Sequence, residues 1–246
     1  MKTREEYIEA VKVKLEEISP FKEPDHFIDG TSDPDFDCVK PIVSYIEKSL
    51  DEAAQNCLRS LPLSLLHADI ERKTDGFSVD VNGVGFITGI HANYRYVRFR
   101  HEALKRDITA FITSEDPLYL VQQNEHVRGG LAKPVAVLAS YAETGNYYGQ
   151  IEIYSFKPKM AEAFDPSEVS TDFMLLYINT EKKVGVATDF TPALTPAQAQ
   201  AQLVQSPIED LIVLECAKMV FAILGNFDGV KSCENEQAEK IQAILK

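Results

Sequence analysis

The sequence predicts an α+β fold, with helices at both ends flanking a central, mostly antiparallel β region. Three observations predict it. Apolar residues recur at helical spacing between residues 3 and 61 and again after residue 206. Between residues 77 and 156 they alternate instead, in runs rich in Val, Ile, Tyr and Phe. Asn82-Gly83 has the composition of a tight hairpin turn between two such runs. The chain divides accordingly into an N-terminal helical region (1–75), a β-rich region (76–190) and a C-terminal helical region (191–246), read together as one compact unit.

The first helix is predicted over residues 3–19. Thr3 and Glu6 have capping-box spacing. Ile8, Val11, Leu15 and Ile18 share a face, and Ser19-Pro20 ends the run. Residues 20–37 are rich in Asp and Pro and read as a loop. A second helix is predicted from about Val39 to Leu61, with Pro41 in its first turn. Its apolar stripe runs from Ile42, Val43 and Ile46 through Leu50, Ala53, Cys57, Leu58 and Leu61, and Pro62 breaks it.

The middle is read as strands. Phe77 to Val81 and Val84 to Thr88 flank the Asn82-Gly83 turn. From Ile90 to Leu138 the order is strand, basic turn, strand, polar loop, strand. In Tyr94 to Arg100 the apolar phase shifts between Tyr96 and Val97, which predicts a β-bulge. Pro134 to Tyr141 and Gln150 to Phe156 follow, joined by a loop over 143–149. Phe173 to Ile178 and Lys183 to Ala187 read as two short strands, or as a short helix and a strand.

At the end, Thr195-Pro196 opens a short Ala/Gln segment. Ser206-Pro207-Ile208-Glu209 combines an N-cap, a Pro in the first turn and a capping-box Glu. The helix it opens, Ile208 to Leu224, is apolar nearly all round, so it is buried in this chain or in an oligomer. Gly225 is a stop signal. A last helix over 230–245 is amphipathic through Ala238, Ile241 and Leu245.

Composition narrows the function classes. The chain has 246 residues, 45% of them apolar and 26% charged, which is ordinary for a globular protein. It has no apolar run near the ~20 residues that span a bilayer. The start lacks the apolar stretch of a secretory signal, and four cysteines make no disulfide framework. The expectation is an intracellular protein with reduced thiols and no membrane partner. Net charge is −13. Residues 1–75 hold 10 Lys/Arg against 17 Asp/Glu, residues 134–246 hold 8 against 15, and residues 76–133 hold 7 against 6. Acidic flanks of this kind exclude general coating of DNA, which requires a positive surface.

Each motif with catalytic or ligand chemistry has a plainer reading. Gly83, Gly85 and Gly89 spell GxGxxxG, but a phosphate loop requires a helix to follow, and β-branched residues follow here. Asp33, Asp35 and Asp37 open like a calcium loop, with Asp25 and Asp29 nearby. The sixth position would then be Cys38 instead of Gly and the twelfth Ser44 instead of Glu. His26, His67, His91, His101 and His126 have no partner at i+3 or i+4, and Cys38, Cys57, Cys216 and Cys233 form no CxxC. GxSxG is absent. No catalytic residue, metal ligand or cofactor is assigned.

The basic island from 91 to 106 carries five Lys/Arg against one acid, Glu102. Arg95, Arg98 and Arg100 alternate with Tyr94, Tyr96 and Phe99. Arginine beside aromatic rings is the composition of protein interface hot spots and of single-strand nucleic-acid platforms. The acidic flanks favour the first, since neighbouring copies would supply the opposite charge. Arg95, Arg98, Arg100, Arg106 and Arg128 are the predicted interface residues. A solvated, salt-bridged strand face is the plain alternative.

A sequence pattern adds to this. Gly83-Val84-Gly85-Phe86-Ile87, then Arg98-Phe99-Arg100, Ile108 to Ile112, Asp116 to Tyr119, Gln122 to Asn124, Val127 to Gly130 and Lys133 to Val137 follow one another in order. Over roughly Val39 to Leu245 this resembles neck, or head-to-tail connector, proteins of tailed bacteriophages and prophages of gut bacteria. The chain departs from the pattern before the basic strand, where it has Thr88 to Asn93 and no Trp anywhere. The resemblance implies helices flanking a β insertion, a place in a virion or in the bacterial cytoplasm, and no catalytic residues. It implies virion proteins or copies of the same chain as partners, with passive contact to DNA in a ring lumen. The alternatives are an intracellular enzyme with a site around His91, His101 and His126, and a ligand-binding module with an apolar pocket lined from Tyr141 to Tyr154.

Overall fold

Thr3 and Glu6 form the capping box that their spacing predicts. The Glu6 N–H donates to Thr3 Oγ1 (3.2 Å) and the Thr3 N–H donates to Glu6 Oε2 (2.7 Å). They open α1 (Arg4–Ile18). The computed structural model describes residues 2–18, 39–91, 93–124, 126–143, 146–157, 164–185 and 203–245. The loop over 20–37, the Asp33–Asp37 calcium-like motif with Asp25 and Asp29, His26, Cys38 and the Thr195-Pro196 segment lie outside the described residues.

The chain forms two compact units. Residues Met1–Asp69 and Thr180–Lys246 make the first, and Ile70–Asn179 make the second. The α+β class, with helices at both ends and a mostly antiparallel β region between, is present as predicted.

The helical unit contains α1, α2 (Val39–Ser60), α4 (Glu209–Ile223) and α5 (Phe227–Leu245). The apolar character of α4 is explained within this one chain. It packs against α1, α2 and α5, and Leu211, Ile212, Val213, Leu214, Cys216, Ala217, Val220 and Phe221 are all buried. Each large aliphatic side chain removed from water contributes about 1.5–3 kcal/mol. The predicted stripe of α2 is buried from Ile46 to Leu61, while Ile42 and Val43 are half-buried. In α1 the buried residues are Tyr7, Val11 and Leu15, so the face turns toward Tyr7 and leaves Ile8 and Ile18 half-buried.

Three local expectations at the C-terminal end change or sharpen. Ser206 is not the cap of α4: the helix begins at Glu209, and the Ser206 N–H donates to Asp69 Oδ2 (2.8 Å). A long-range carboxylate has taken the backbone group that would have set up the cap. Gly225 ends α4 with φ of 71°. The Asn226 N–H bonds the Phe221 carbonyl and the Gly225 N–H bonds the Ala222 carbonyl, the paired bonds of a Schellman turn. Helix α5 starts earlier than predicted because Asn226 Oδ1 accepts from the Gly229 N–H (2.9 Å). Its buried residues are Gly229 and Cys233, whereas Ala238 and Leu245 are exposed.

The β unit has eight strands among the described residues, in two sheets. One has the order β1 (Ile70–Lys73), β8 (Phe173–Asn179), β4 (Tyr94–His101). The other has the order β2 (Phe77–Val79), β3 (Val84–His91), β7 (Asn146–Tyr154), β6 (Val135–Glu143), β5 (Phe111–Thr113). All pairings are antiparallel except β5 with β6. The sheets share one apolar cluster. Phe99, Phe173 and Leu175 come from the first sheet, and Phe77, Ile87, Ala136, Ile151 and Ile153 from the second.

The hairpin at Asn82-Gly83 forms, with Gly83 at φ of 70°. The Asp80 carboxylate accepts the N–H groups of Asn82 and Val84 and so holds the turn. Gly89, at φ of 69°, stands at an irregularity between Ile87 and Ile90 in the β3–β7 pairing, and strand follows each of these glycines. The phosphate-loop geometry is therefore absent at Gly83–Gly89.

The segment predicted as a loop over 143–149 is mostly strand, since β6 and β7 stay paired out to Glu143 and Asn146. The polar loop after β5 contains a short helix, α3 (Pro117–Gln122), because Asp116 Oδ1 caps the Leu118 N–H (2.8 Å) and Pro117 fits its first position. Residues 173–179 are a strand. Lys183 makes only a single bridge to Leu203, and residues 186 and 187 lie outside the described residues.

Candidate functional site

Strand β4 carries the basic island, and its bulge decides which arginines share a face. The pairing with β8 slips between Tyr96 and Arg98, as the sequence phase predicts. Arg95 therefore lies opposite Ile178 and Arg98 opposite Leu176, two residues apart on β8. Without the extra residue, Arg95 and Arg98 would point to opposite faces. With it, Arg95, Arg98 and Arg100 line one face of the three-stranded sheet. Arg72, opposite Leu176 on β1, joins them. Arg72 was not among the predicted residues, because only long-range pairing places β1 beside β8.

The opposite face of β4 is aromatic. Tyr94 stacks on Tyr177 with ring centroids 4.5 Å apart, Tyr96 packs on Phe111 at 5.6 Å, and the Tyr96 hydroxyl donates to the His91 carbonyl (2.9 Å). Burial pushes the Tyr96 and Tyr177 hydroxyls above their ordinary pKa. Of the aromatics predicted beside the arginines, Phe99 is thus buried in the core, Tyr96 packs against it and Tyr94 is half-buried.

Arg98 Nη1 and Arg100 Nε lie 3.8 and 3.9 Å from the two oxygens of one carboxylate, Asp107, and the two arginine side chains are 48% and 68% exposed. Leu176 and Met174, directly opposite Arg98 and Arg100 on β8, are half-buried. Arg95 is half-buried, and its burial lowers its pKa from the ordinary value. Arg106 is exposed in the turn that follows.

Arg128 does not belong to that face. It is only 8% exposed, and its Nη2 donates to the Asn82 carbonyl, so it latches the loop after α3 onto the β2–β3 turn. It stands between two cavities. One is a polar cleft of about 380 Å³ bordered by Asp80, Tyr119, Gln123, Glu152 and Tyr154. At its floor the Tyr154 hydroxyl donates to Glu152 Oε2 (2.7 Å), Gln150 donates to Oε1 (3.0 Å), and Gln123 donates to the Tyr154 oxygen (3.1 Å). Burial, and then the Glu152 carboxylate, raise the Tyr154 pKa. The other cavity, about 620 Å³, is lined by Lys105, Lys133 and Lys157 beside Arg128, with Val127 and Leu131 on its wall. Sequence spacing does not signal this gathering, because Lys105, the loop that carries Arg128 and Lys133, and Lys157 come from three separate connections.

The histidines do not come together. His101 is buried among Phe77, Phe99 and Phe156. Its Nδ1 accepts from the Ala103 N–H and its Nε2 lies 2.8 Å from the Ser170 carbonyl, an arrangement that requires the proton on Nε2. His91 packs on Tyr94, and His126 is exposed. None of the three lines either cavity around Arg128. Among the described residues, no three His, Cys, Asp or Glu side chains gather as a metal site requires. Cys57, Cys216 and Cys233 are buried free thiols, and no described helix is long and apolar enough to cross a membrane. The side chains from Tyr141 to Tyr148, expected to line an apolar pocket, lie outside the described residues.

No protein-family model matches this chain, and no curated protein is significantly similar to it.

Proposed function

We propose that this chain is a non-enzymatic assembly protein of a phage or prophage particle, a neck or head-to-tail connector component that works through contacts with copies of itself or with other virion proteins. The observation that carries the reading is the arginine face of β4. Two exposed guanidiniums share one carboxylate and lie directly across from half-buried Leu176 and Met174 on β8. Arginine set among apolar side chains is the composition of an interface centre. The chain's net charge of −13 means that a second copy brings the complementary sign, and a heterologous contact of that kind propagates around a ring. The resemblance over Val39 to Leu245 supports the same reading.

The test is the double substitution Arg98→Glu with Arg100→Glu. Particles are pelleted from cells carrying either version, and the pellet is probed for this protein. Wild-type protein in the washed pellet and a folded but soluble double variant support the reading. Wild-type protein only in the supernatant, with particles present, sinks it. One observation favours a second reading, a ligand-binding module with its site in the β unit: the buried Arg128 borders two cavities.

A further inference from the structure

The cavity beside Arg128 is an unusual place for charge in this protein. The sequence has 38 Asp/Glu against 25 Lys/Arg. The described lining residues nevertheless include Lys105, Arg128, Lys133 and Lys157, with no carboxylate among them. Like charges around one cavity repel, so the fold carries an electrostatic cost that an anion would relieve. Lys105 and Lys133 are exposed and make no ion pair among the described residues.

Arg128 gives the second, independent observation. The residue is more than nine-tenths buried, yet the Asn82 carbonyl is the one acceptor its guanidinium meets among the described residues. A guanidinium carries five N–H donors, and those not bonded to Asn82 keep access to solvent, where an anion can meet them. A planar fork of that kind pairs in bidentate fashion with phosphate or carboxylate oxygens, and the lysines act as point charges around it.

We infer that this cavity binds a phosphorylated organic anion of nucleotide size. Its volume, about 620 Å³, falls in the usual range for small-molecule sites and is far larger than a single ion fills. Several cations call for a ligand with more than one negative charge. Val127, Leu131, Ala132 and Val135 supply an apolar wall for the organic part. The inference gives the ligand-binding reading its ligand class, rests on that reading, and is independent of the assembly reading.

The experiment is calorimetric titration of the full chain with inorganic pyrophosphate and with ADP in 150 mM NaCl. It is repeated on the double variant Lys105→Glu with Lys133→Glu, whose exposed positions leave the core untouched. Both probes bind the native chain one to one, with ADP the tighter, and the double variant weakens both by about a hundredfold, roughly tenfold for each lysine replaced. Absence of saturable binding, or equal binding by the double variant, overturns the inference. Hexaglutamate binding more tightly than ADP also overturns it, because the cavity is then a dock for an acidic protein segment. None of these outcomes touches the particle test, so the two readings fail separately.

Discussion

Asp69 and Lys182 form an ion pair shut off from solvent: Oδ1 and Nζ are 3.1 Å apart, and the side chains are 0% and 3% exposed. Asp69 also accepts the backbone N–H groups of Gln205 (2.9 Å) and Ser206 (2.8 Å). One carboxylate therefore ties the end of the first helical segment to the chain leaving the β unit and to the approach to α4. A buried carboxylate is tolerated when its lone pairs are filled in this way.

Removing either partner leaves a buried charge without its mate. Asp69→Ala and Lys182→Met are each expected to lower unfolding stability by about 3–5 kcal/mol, read from urea denaturation midpoints. The double variant recovers part of the loss, because no lone charge remains. Strictly additive losses would show that the two residues act independently.

Gly83 and Gly225 have nearly the same backbone, φ of 70° and 71°, but different surroundings. A Cβ at Gly225 meets nothing within 4 Å, whereas one at Gly83 collides with Lys157, including its backbone. Gly225→Ala should cost about 1 kcal/mol, from the left-handed conformation alone. Gly83→Ala should cost roughly 3 kcal/mol or more, since backbone must move as well. Equal thermal midpoints for the two variants would contradict the collision.

Tyr154→Phe removes the shorter of the two hydrogen bonds on buried Glu152 and deprives Gln123 of its acceptor. The expected loss is about 1–3 kcal/mol in chemical denaturation. Tyr119 borders the same cleft but stands outside the hydrogen bonds among Gln123, Glu152 and Tyr154, so Tyr119→Phe serves as the control. A Tyr154→Phe variant as stable as the control would place water, and not Tyr154, on the carboxylate.

The buried thiols set an alkaline limit. Burial, and next the Glu236 charge, push Cys233 up to about 11; burial pushes Cys216 up to about 12 and raises Cys57 as well. A thiol with a raised folded pKa contributes full stability below its unfolded value, near 9, and that contribution is lost as pH climbs through 11 to 12. Stability should fall between pH 9 and 11. Cys57→Ala/Cys216→Ala/Cys233→Ala protein, stable enough to melt cooperatively, should lose less across that window. In Cys38→Ser protein at pH 8, a thiol reagent should react only after urea is added. Reaction of the folded protein at the rate of free cysteine would show that these sites open readily.

What the sequence determined by itself is whatever neighbouring residues settle between them. The Thr3–Glu6 box, the Asn82-Gly83 turn and the Gly225 stop are all satisfied by groups a few residues apart, so composition and spacing reveal them, and the bulge after Tyr96 shows as a local shift of apolar phase. The α+β class follows from the same short periods. Tertiary structure decided the rest, wherever a distant group competes for the same atoms. Asp69 claims the Ser206 N–H and removes its cap, and β8 draws Ile70–Lys73 into a sheet beside Arg98. Asn82 captures Arg128 from the surface, and three connections bring Lys105, Arg128, Lys133 and Lys157 around one cavity. Hydrogen bonds and charges between residues far apart in the chain leave no period in the sequence, so their placement is fixed only when the strands and loops have packed.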